Sequence, residues 1–199
     1  MRVVLASHNK GKLAELKPLL APLGLTLESQ AEHHVASPEE TGTTFVENAL
    51  IKAKAVAYAT GLPSLADDSG IAVPALQGAP GIRSARYAGP DATDAENNLK
   101  LMADITHLAP PVAAFYYCAI VYLEHANDPT PLIATAAWHG HLTPEPRGAN
   151  GFGYDPYFVI AGRSQTSAEL EPEEKNLLSH RGLACARLIS EFNHRTVPN

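Results

Sequence analysis

Leu65-Ala66-Asp67-Asp68-Ser69-Gly70 is the stretch around which the chain is organised, because it sets two adjacent carboxylates between apolar runs. The apolar flanks and the Asp, Ser and Gly turn formers predict a strand, an acidic tight turn and a second strand. Adjacent carboxylates repel each other, and neither is expected to be buried without a partner. A bound Mg²⁺ would relieve that repulsion, since it takes carboxylate oxygens and substrate phosphates as ligands. The alternative is an ordinary turn that binds nothing.

Length and composition predict one domain, residues 1–199, that can contain two lobes. The net charge of −6 argues against a surface that coats nucleic acid, so a polyanionic ligand would need a local basic pocket. Cys118 and Cys185 stand far apart in apolar contexts, without the spacing of a metal site or a disulfide framework. The apolar run at residues 1–6 is too short for a signal peptide, and no stretch approaches the length of a membrane span. We therefore expect a cytoplasmic protein that binds neither nucleic acid nor a membrane.

A polar segment joins the first predicted strand, residues 2–6, to an amphipathic helix. Its sequence is Ser7-His8-Asn9-Lys10-Gly11-Lys12. Backbone N–H groups, the positive end of the helix dipole and the two lysine ammonium groups can together bind a phosphate. The spacing differs from that of a P-loop, so that mechanism does not transfer. A surface loop with two solvated lysines fits the same residues equally well.

A second pair of carboxylates, Glu39 and Glu40, precedes a predicted helix. A metal-bound pair and a solvated loop pair both fit this position. Lys52 and Lys54 on the helix cannot face the same way, so one of them can reach a site while the other is solvated.

Two capping boxes predict where helices begin. Thr44-Phe45-Val46-Glu47 starts one helix that ends before Gly61, and Thr93-Asp94-Ala95-Glu96 starts another that reaches about Ile105. Residues 113–123 and 132–142 are apolar runs rich in β-branched and aromatic residues, and a turn containing proline separates them. These two runs predict an antiparallel hairpin.

Glycines surround an aromatic residue in the segment Gly151-Phe152-Gly153-Tyr154-Asp155. They would let Phe152 approach a flat ligand and stack on a base, although a core aromatic residue before the next strand is the alternative. Ser179 fits the N-cap of the last helix. His180 and Arg181 then lie at the N-terminus of that helix, with side chains able to donate hydrogen bonds.

Six stretches, taken in order, resemble the inosine triphosphate pyrophosphatase family, and in particular its bacterial members that act on deaminated purine nucleotides. The stretches are Ser7–Lys12, Glu39–Ala49, Ala66–Gly70, Gly78–Tyr87, Gly151–Pro156 and Ser179–Gly182. Any one of them would be weak evidence, whereas six in register over nearly the whole chain are specific. The chain departs from the family at one point: family loops often read Thr-Gly-Asn, where this chain has Ser7-His8-Asn9.

The resemblance implies an α/β fold with a long mixed central sheet, flanked by helices and divided into two lobes around an active-site cleft. It also implies a homodimer. The implied reaction is Mg²⁺-dependent hydrolysis of ITP, dITP or XTP to the nucleoside monophosphate and pyrophosphate, which would cleanse the nucleotide pool.

The resemblance further implies roles for individual residues. The phosphate-binding loop falls on Ser7, His8, Asn9, Lys10, Gly11 and Lys12. The metal position falls on Glu39 or Glu40, and Asp68 is implied as a metal ligand and general base, with Ser69 in contact with substrate. The implied base-binding residues are Phe152, Gly153, Tyr154, Asp155, Lys175, His180 and Arg181. Beside these, we expect Lys52 to act in catalysis by neutralising phosphate charge.

Base selectivity is predicted from donor and acceptor chemistry. His180 and Arg181 can donate to the 6-oxo group of hypoxanthine or xanthine, whereas the 6-amino group of adenine would leave their donors unpaired. Three other functions are alternatives: a pyrophosphatase for modified pyrimidine triphosphates, a metal-dependent phosphatase that releases orthophosphate, and a nucleotide-binding module without catalysis. Only the last would not need the acidic residues Glu39, Glu40 and Asp68.

Overall fold

The computed structural model describes residues 1–196, in which six strands form one sheet in the order β2-β1-β3-β4-β5-β6. Strand β1 pairs in parallel with β2 and β3, whereas β5 pairs antiparallel with β6. The sheet is therefore mixed and has flanking helices, which confirms the α/β fold expected from the sequence. The elements are β1 Arg2–Leu5, α1 Lys10–Leu20, β2 Thr26–Ser29, α2 Phe45–Thr60, β3 Ser64–Ala72, α3 Asp94–Ile105, β4 Val112–Leu123, β5 Leu132–Leu142, β6 Phe158–Ile160, α4 Pro172–Leu178 and α5 His180–Thr196.

The chain divides into two compact units. Unit 1 comprises Met1–Asp68, Cys118–Ala136 and the C-terminal segment from Arg181. Unit 2 comprises Ser69–Tyr117 and Ala137–His180. Strands β3, β4 and β5 each contribute residues to both units. The single domain with two lobes stays a prediction.

Local sequence signals set the helix boundaries. Thr44 caps α2 through the backbone N–H of Glu47, whose side chain accepts in return from Thr44, so the predicted capping box is present. The same reciprocal pair forms between Thr93 and Glu96 at α3. Gly61 ends α2 in the left-handed region, at φ 68°, as a C-terminal glycine does. Both capping predictions are confirmed.

The first helix begins earlier than the sequence indicated. Asn9 is its N-cap, and the Asn9 side chain accepts a hydrogen bond from the Lys12 backbone N–H. Lys10, Gly11 and Lys12 therefore belong to the first turn of α1 rather than to a loop. Asparagine is among the preferred N-caps, and this signal was present at Asn9.

The acidic tight turn predicted at Asp67–Gly70 is wrong, because β3 runs without interruption from Ser64 to Ala72. The turn-forming residues are held extended by partners that lie far away in the sequence. Gly70 is needed for close approach and not for turning: a Cβ there would lie 2.3 Å from Ser84 Oγ and 2.6 Å from the Gly81 carbonyl oxygen.

In unit 1, side chains alternate along β3 between two hydrophobic clusters. Leu65 belongs to the cluster that contains Leu16 of α1 and Leu188 of α5. Ala66 belongs to the cluster that contains Ala53 and Val56 of α2. Successive residues of β3 thus face different helices, and this alternation continues to the carboxylates that follow.

Unit 2 has its own core, which is built around aromatic residues of the sheet. Tyr116, Trp138 and Phe158 lie in one cluster with Leu101 of α3. The predicted hairpin strands match β4 and β5 to within one residue, and the two strands are neighbours in the sheet. Both cysteines, Cys118 and Cys185, are buried and free. Within residues 1–196, every helix is too short or too polar to cross a membrane.

Candidate active site

Asp68 lies in a cluster of charged side chains with Lys52 of α2 and Glu40 of the segment before α2. Lys52 Nζ lies 2.7 Å from Asp68 Oδ1 and 3.1 Å from Glu40 Oε1. The side chains of Lys52, Asp68 and Glu40 are 12%, 9% and 23% exposed, so the ammonium joins two carboxylates at an edge that solvent can reach. We call this group the Asp68 cluster. Lys54, two residues along, is exposed, as expected of one lysine of the pair.

Burial and neighbouring charges act in opposite directions on the pKa values of this cluster. Burial raises the pKa of Asp68, and the nearby ammonium groups of Lys52 and Lys12 offset only part of that rise. Burial also lowers the pKa of Lys52, but attraction to Asp68, Asp67 and Glu40 outweighs it and leaves the pKa raised. Lys52 therefore stays charged at neutral pH, beside a carboxylate that binds a proton more readily than an ordinary aspartate.

Asp67 forms a separate ion-pair group around its fully buried carboxylate, which we call the Asp67 group. Its side chain is 0% exposed, and Lys12 Nζ lies 2.8 Å from Oδ1. Arg181 Nε lies 3.3 Å from Oδ2, while Arg181 Nη1 donates to Glu15 of α1. Burial raises the pKa of Asp67, but Lys12 and Arg181 more than reverse this and hold that pKa below its ordinary range. Asp67 is thus ionised at neutral pH and, through its ion pairs, binds α1 and α5 to β3.

Strand geometry explains why the two neighbouring carboxylates have different partners. Consecutive side chains of a strand point to opposite faces of the sheet. Asp67 meets residues of α1 and α5, whereas Asp68 meets Lys52 of α2. The repulsion expected between adjacent carboxylates is therefore relieved by two sets of cations, one on each side of β3.

The segment predicted to bind phosphate is held by hydrogen bonds between residues that are close in the sequence. Ser7 Oγ accepts from the Asn9 backbone N–H at 3.2 Å. His8 and Asn9 are exposed, Gly11 is partly exposed, and the side chain of Lys10 lies outside the described part of the structure. The Lys12 ammonium lies at Asp67, so the segment has a fixed cation at the first turn of α1. Phosphate binding here stays a prediction.

The structure separates the two glutamates that the sequence left equivalent. Glu39 is exposed, whereas Glu40 is partly buried and lies at Lys52. Within residues 1–196, no group of three or more His, Cys, Asp or Glu side chains is placed to hold a metal ion. Glu40 and Asp68 are thus the predicted metal ligands that meet at a common residue.

In unit 2, Asp155 holds together the residues predicted to bind a base. Its Oδ2 accepts from Lys175 Nζ at 2.6 Å and from the Phe152 backbone N–H at 2.9 Å. Its Oδ1 accepts from Ser167 Oγ at 2.7 Å. Lys175 Nζ also lies 5.1 Å from the centroid of the Phe152 ring. Asp155, only 3% exposed, therefore fixes the loop that carries Phe152.

His180, the first residue of α5, lies among aromatic side chains of unit 2. Its ring is nearly parallel to that of Tyr116, with centroids 4.7 Å apart and an interplanar angle of 10°. Trp138 is also nearly parallel to it, at 6.4 Å. Tyr154 is buried, donates from its hydroxyl to the Ser84 carbonyl oxygen and has a pKa raised mainly by burial.

Two predicted substrate residues have surroundings that the sequence did not indicate. Arg181 is buried against Asp67 and Glu15, so a contact from its guanidinium to a base stays a prediction. Ser69 is partly buried and follows Asp68 directly in β3, where a turn had been expected. Its contact with substrate also stays a prediction.

Sequence reasoning missed Glu15 and Ser167. Glu15 lies three residues after Lys12 on one helix, a spacing that places both on the same side and could have indicated a shared role. Ser167 lies in a short 3₁₀ helix whose capping box, Thr166 with Glu169, could have indicated its start. No pattern in the sequence pointed to Asp155 as the partner of Ser167.

Comparison with known proteins adds an independent finding. The family model described as the Ham1 family matches residues 3–191. A dITP/XTP pyrophosphatase of Nitrosomonas europaea is 50% identical over 198 residues, covering 99% of this chain and 97% of that protein. The structure of a HAM1 protein from Coxiella burnetii superposes with a TM-score of 0.91 at 48% identity, covering 98% of this chain and 99% of that chain. The Staphylococcus aureus Ham1 protein gives a TM-score of 0.87 at 34% identity, covering 98% and 100%.

Replacement of Asp67 by asparagine tests the Asp67 group. Asp67→Asn removes a buried anion from the buried Arg181 guanidinium and the partly buried Lys12 ammonium, and should lower the free energy of unfolding by about 3–5 kcal/mol at pH 7. Urea denaturation measures this. Asp68→Asn is the matched control and should cost less, because the raised pKa of Asp68 means that the fold already disfavours its charged form. Equal losses in the two variants would contradict the assignment.

The lowered pKa of Asp67 predicts that its contribution to stability depends on pH. The pKa of Asp67 is lower in the folded chain than its ordinary value of about 3.9, so its contribution to stability is present above that value. It is lost as the pH falls below it. The stability difference between the wild type and Asp67→Asn should therefore be constant from about pH 6 to 8 and shrink in acid.

Proposed function

The chain belongs to the Ham1 family, and we propose that it hydrolyses ITP, dITP and XTP to the nucleoside monophosphate and pyrophosphate. The family membership confirms the resemblance drawn from the six stretches. A relative 50% identical over nearly the whole chain is named dITP/XTP pyrophosphatase, which supports a nucleoside triphosphate pyrophosphatase activity. The observation that carries the proposal is the Asp68 cluster, in which Lys52 Nζ lies within 3.1 Å of a carboxylate oxygen of Asp68 and of one of Glu40.

The residues of the Asp68 cluster fit Mg²⁺. Among the described residues, Asp68 Oδ2 is a buried oxygen without a hydrogen-bond partner, which a cation would satisfy. Glu40 supplies a second carboxylate nearby. Two carboxylates suffice, because Mg²⁺ commonly keeps several waters and takes substrate phosphates as further ligands. Bound there by Asp68 and Glu40, Mg²⁺ would neutralise charge on the phosphates.

In the proposed mechanism, the protein supplies a base and fixed positive charge. Asp68 orients the attacking water and accepts its proton, a task that suits a carboxylate of raised proton affinity. Lys52 neutralises charge that develops on the α-phosphate and the leaving pyrophosphate. Lys12 and the N-terminus of α1 bind the triphosphate, since the positive end of the helix dipole attracts anions there.

Base recognition is assigned to residues of unit 2. Phe152 would stack on the purine, and Lys175 and Asp155 hold the loop that presents it. His180 would donate to the 6-oxo group. Adenine carries an amino group at that position and would leave the donor unpaired, which costs about 1–3 kcal/mol and rejects adenine by about tenfold or more.

Quaternary structure and location are further proposals. The resemblance implies a homodimer, and light scattering of the purified protein tests it by giving the mass in solution. A cytoplasmic location stays a prediction from the sequence.

Pyrophosphate release from a panel of triphosphates tests the proposed function. With Mg²⁺ present, the protein should release pyrophosphate from ITP, dITP and XTP at least about tenfold more efficiently than from ATP. Modified pyrimidine triphosphates, dUTP and dTTP should be poor substrates. Preference for the pyrimidine triphosphates would favour that alternative, release of orthophosphate would favour a phosphatase, and binding without turnover would favour a nucleotide-binding module.

Loss of the Asp68 carboxylate should abolish most catalysis while the fold persists. Asp68→Asn keeps the shape of the side chain but removes its charge and basicity, so kcat for ITP should fall by about 10²–10⁴-fold. Circular dichroism checks the fold. Lys52→Ala should also reduce kcat, whereas Lys54→Ala, two residues along the same helix and exposed, should not. Turnover close to that of the wild type in Asp68→Asn would remove this residue from the mechanism.

The two glutamates offer a matched test of the metal site. Glu40→Gln should raise the Mg²⁺ concentration needed for half-maximal activity by on the order of tenfold, because a ligand beside Lys52 loses its charge. Glu39→Gln should leave that concentration unchanged, since Glu39 is exposed. The reverse pattern would transfer the ligand role to Glu39.

A further inference from the structure

The loop that carries Phe152 lacks the regular hydrogen bonds of a helix or strand. Gly151 and Gly153, on either side of Phe152, have φ values of 77° and 62°, in the left-handed region that favours glycine. A few backbone hydrogen bonds, such as that from the Asn150 N–H to the Ala168 carbonyl oxygen, hold the loop, and side chains supply the rest of the contacts that position the Phe152 ring. Asp155 provides one such hold, through the backbone N–H of Phe152.

Helix α3 provides a second hold, on the other side of Phe152. The Gly153 backbone N–H donates to Asp94 Oδ2 at 2.7 Å, and Asn98 Nδ2 donates to the Gly153 carbonyl oxygen at 2.9 Å. Asp94 and Asn98 are four residues apart, so they lie on one face of α3. One helix thus satisfies both backbone polar groups of Gly153.

Packing alone does not fix the loop on this side. A cavity of about 460 Å³ lies between α3 and the loop, and its lining includes Leu99, Pro146, Phe152 and Tyr157. Leu99 is 67% exposed, so it does not close that space. Where side-chain packing is incomplete, directional hydrogen bonds carry more of the positioning.

The side-chain amide of Asn98 is only partly hydrogen-bonded, which points to a role other than stabilising the fold. The residue is only 6% exposed, and within the described residues its Oδ1 has no hydrogen-bond partner. A buried, unpaired amide oxygen is unfavourable, so this side chain contributes less to stability than a fully satisfied amide would. The amide nitrogen of Asn98, in contrast, donates to the Gly153 carbonyl oxygen.

We propose that Asp94 and Asn98 are positioning residues that hold Gly153 and thereby set the place of Phe152 for base binding. We call these two hydrogen bonds to Gly153 the clamp. This inference rests on the proposed function, because it assigns part of the affinity for the base to the clamp. It separates two properties of the enzyme: the clamp acts on binding of the base, whereas the phosphate-binding and hydrolytic groups of unit 1 are untouched by it.

Kinetics of matched variants test the clamp. Asp94→Ala removes the acceptor, and Asn98→Asp keeps the side-chain shape but replaces the donor by an acceptor facing the Gly153 oxygen. Each should raise KM for ITP about three- to tenfold, as expected for one lost hydrogen bond, with kcat at saturating ITP within about twofold. Inhibition by tripolyphosphate, which has no base, should be unchanged. Asp94→Asn retains an acceptor oxygen and should restore a KM close to that of the wild type.

Asn97→Ala is the control for damage to α3. Asn97 is buried next to Asn98 but bonds elsewhere, accepting from the Ala88 backbone N–H and donating to the Ala85 carbonyl oxygen. It should lower the melting temperature and leave KM unchanged. Unchanged KM in both Asp94→Ala and Asn98→Asp, with a wild type that turns over ITP, would overturn the clamp alone. A wild type that releases no pyrophosphate would overturn the proposed function, and the clamp with it.

Discussion

The buried ion pairs of Asp67 are the interaction on which unit 1 depends. A carboxylate removed from water is very costly unless cations and hydrogen-bond donors compensate for it. Lys12 comes from the first turn of α1 and Arg181 from the first turn of α5, so compensation of this one charge fixes both helices against β3. Glu15 neutralises Arg181 further. The N-terminal segment that is expected to meet phosphate is thereby anchored to the strand that carries Asp68.

The alternation of β3 then divides the two neighbouring aspartates between structure and chemistry. Asp67 is fully buried with a depressed pKa, and it has the properties of a structural anion. Asp68 faces α2, is buried except for 9% of its side chain, and has a raised pKa and an oxygen without a hydrogen-bond partner. A turn would have left both carboxylates in similar surroundings. The strand gives each carboxylate its own ion-pair partners, which separates a structural anion from the carboxylate that we propose for catalysis.

Local signals in the sequence predicted much of the fold. Capping boxes at Thr44 and Thr93 set two helix starts correctly, because their hydrogen bonds lie within four residues. The turn predicted at Asp67–Gly70 failed because long-range partners override turn propensity. The difference between Glu39 and Glu40 could not be predicted, because Lys52 meets Glu40 only in the folded chain. The partners of Arg181 could not be predicted either, because Asp67 and Glu15 lie far from it in the sequence.

The division between Asp67 and Asp68 is tested most directly by the pKa values of the two carboxylates. Carbon-13 NMR of the metal-free protein, with labelled aspartate side chains assigned through Asp67→Asn and Asp68→Asn, follows each carboxyl through a pH titration. Asp68 should titrate above the ordinary aspartate value of about 3.9, and Asp67 should remain ionised well below it. Two carboxyls that titrate together near that value would contradict the division of roles between Asp67 and Asp68.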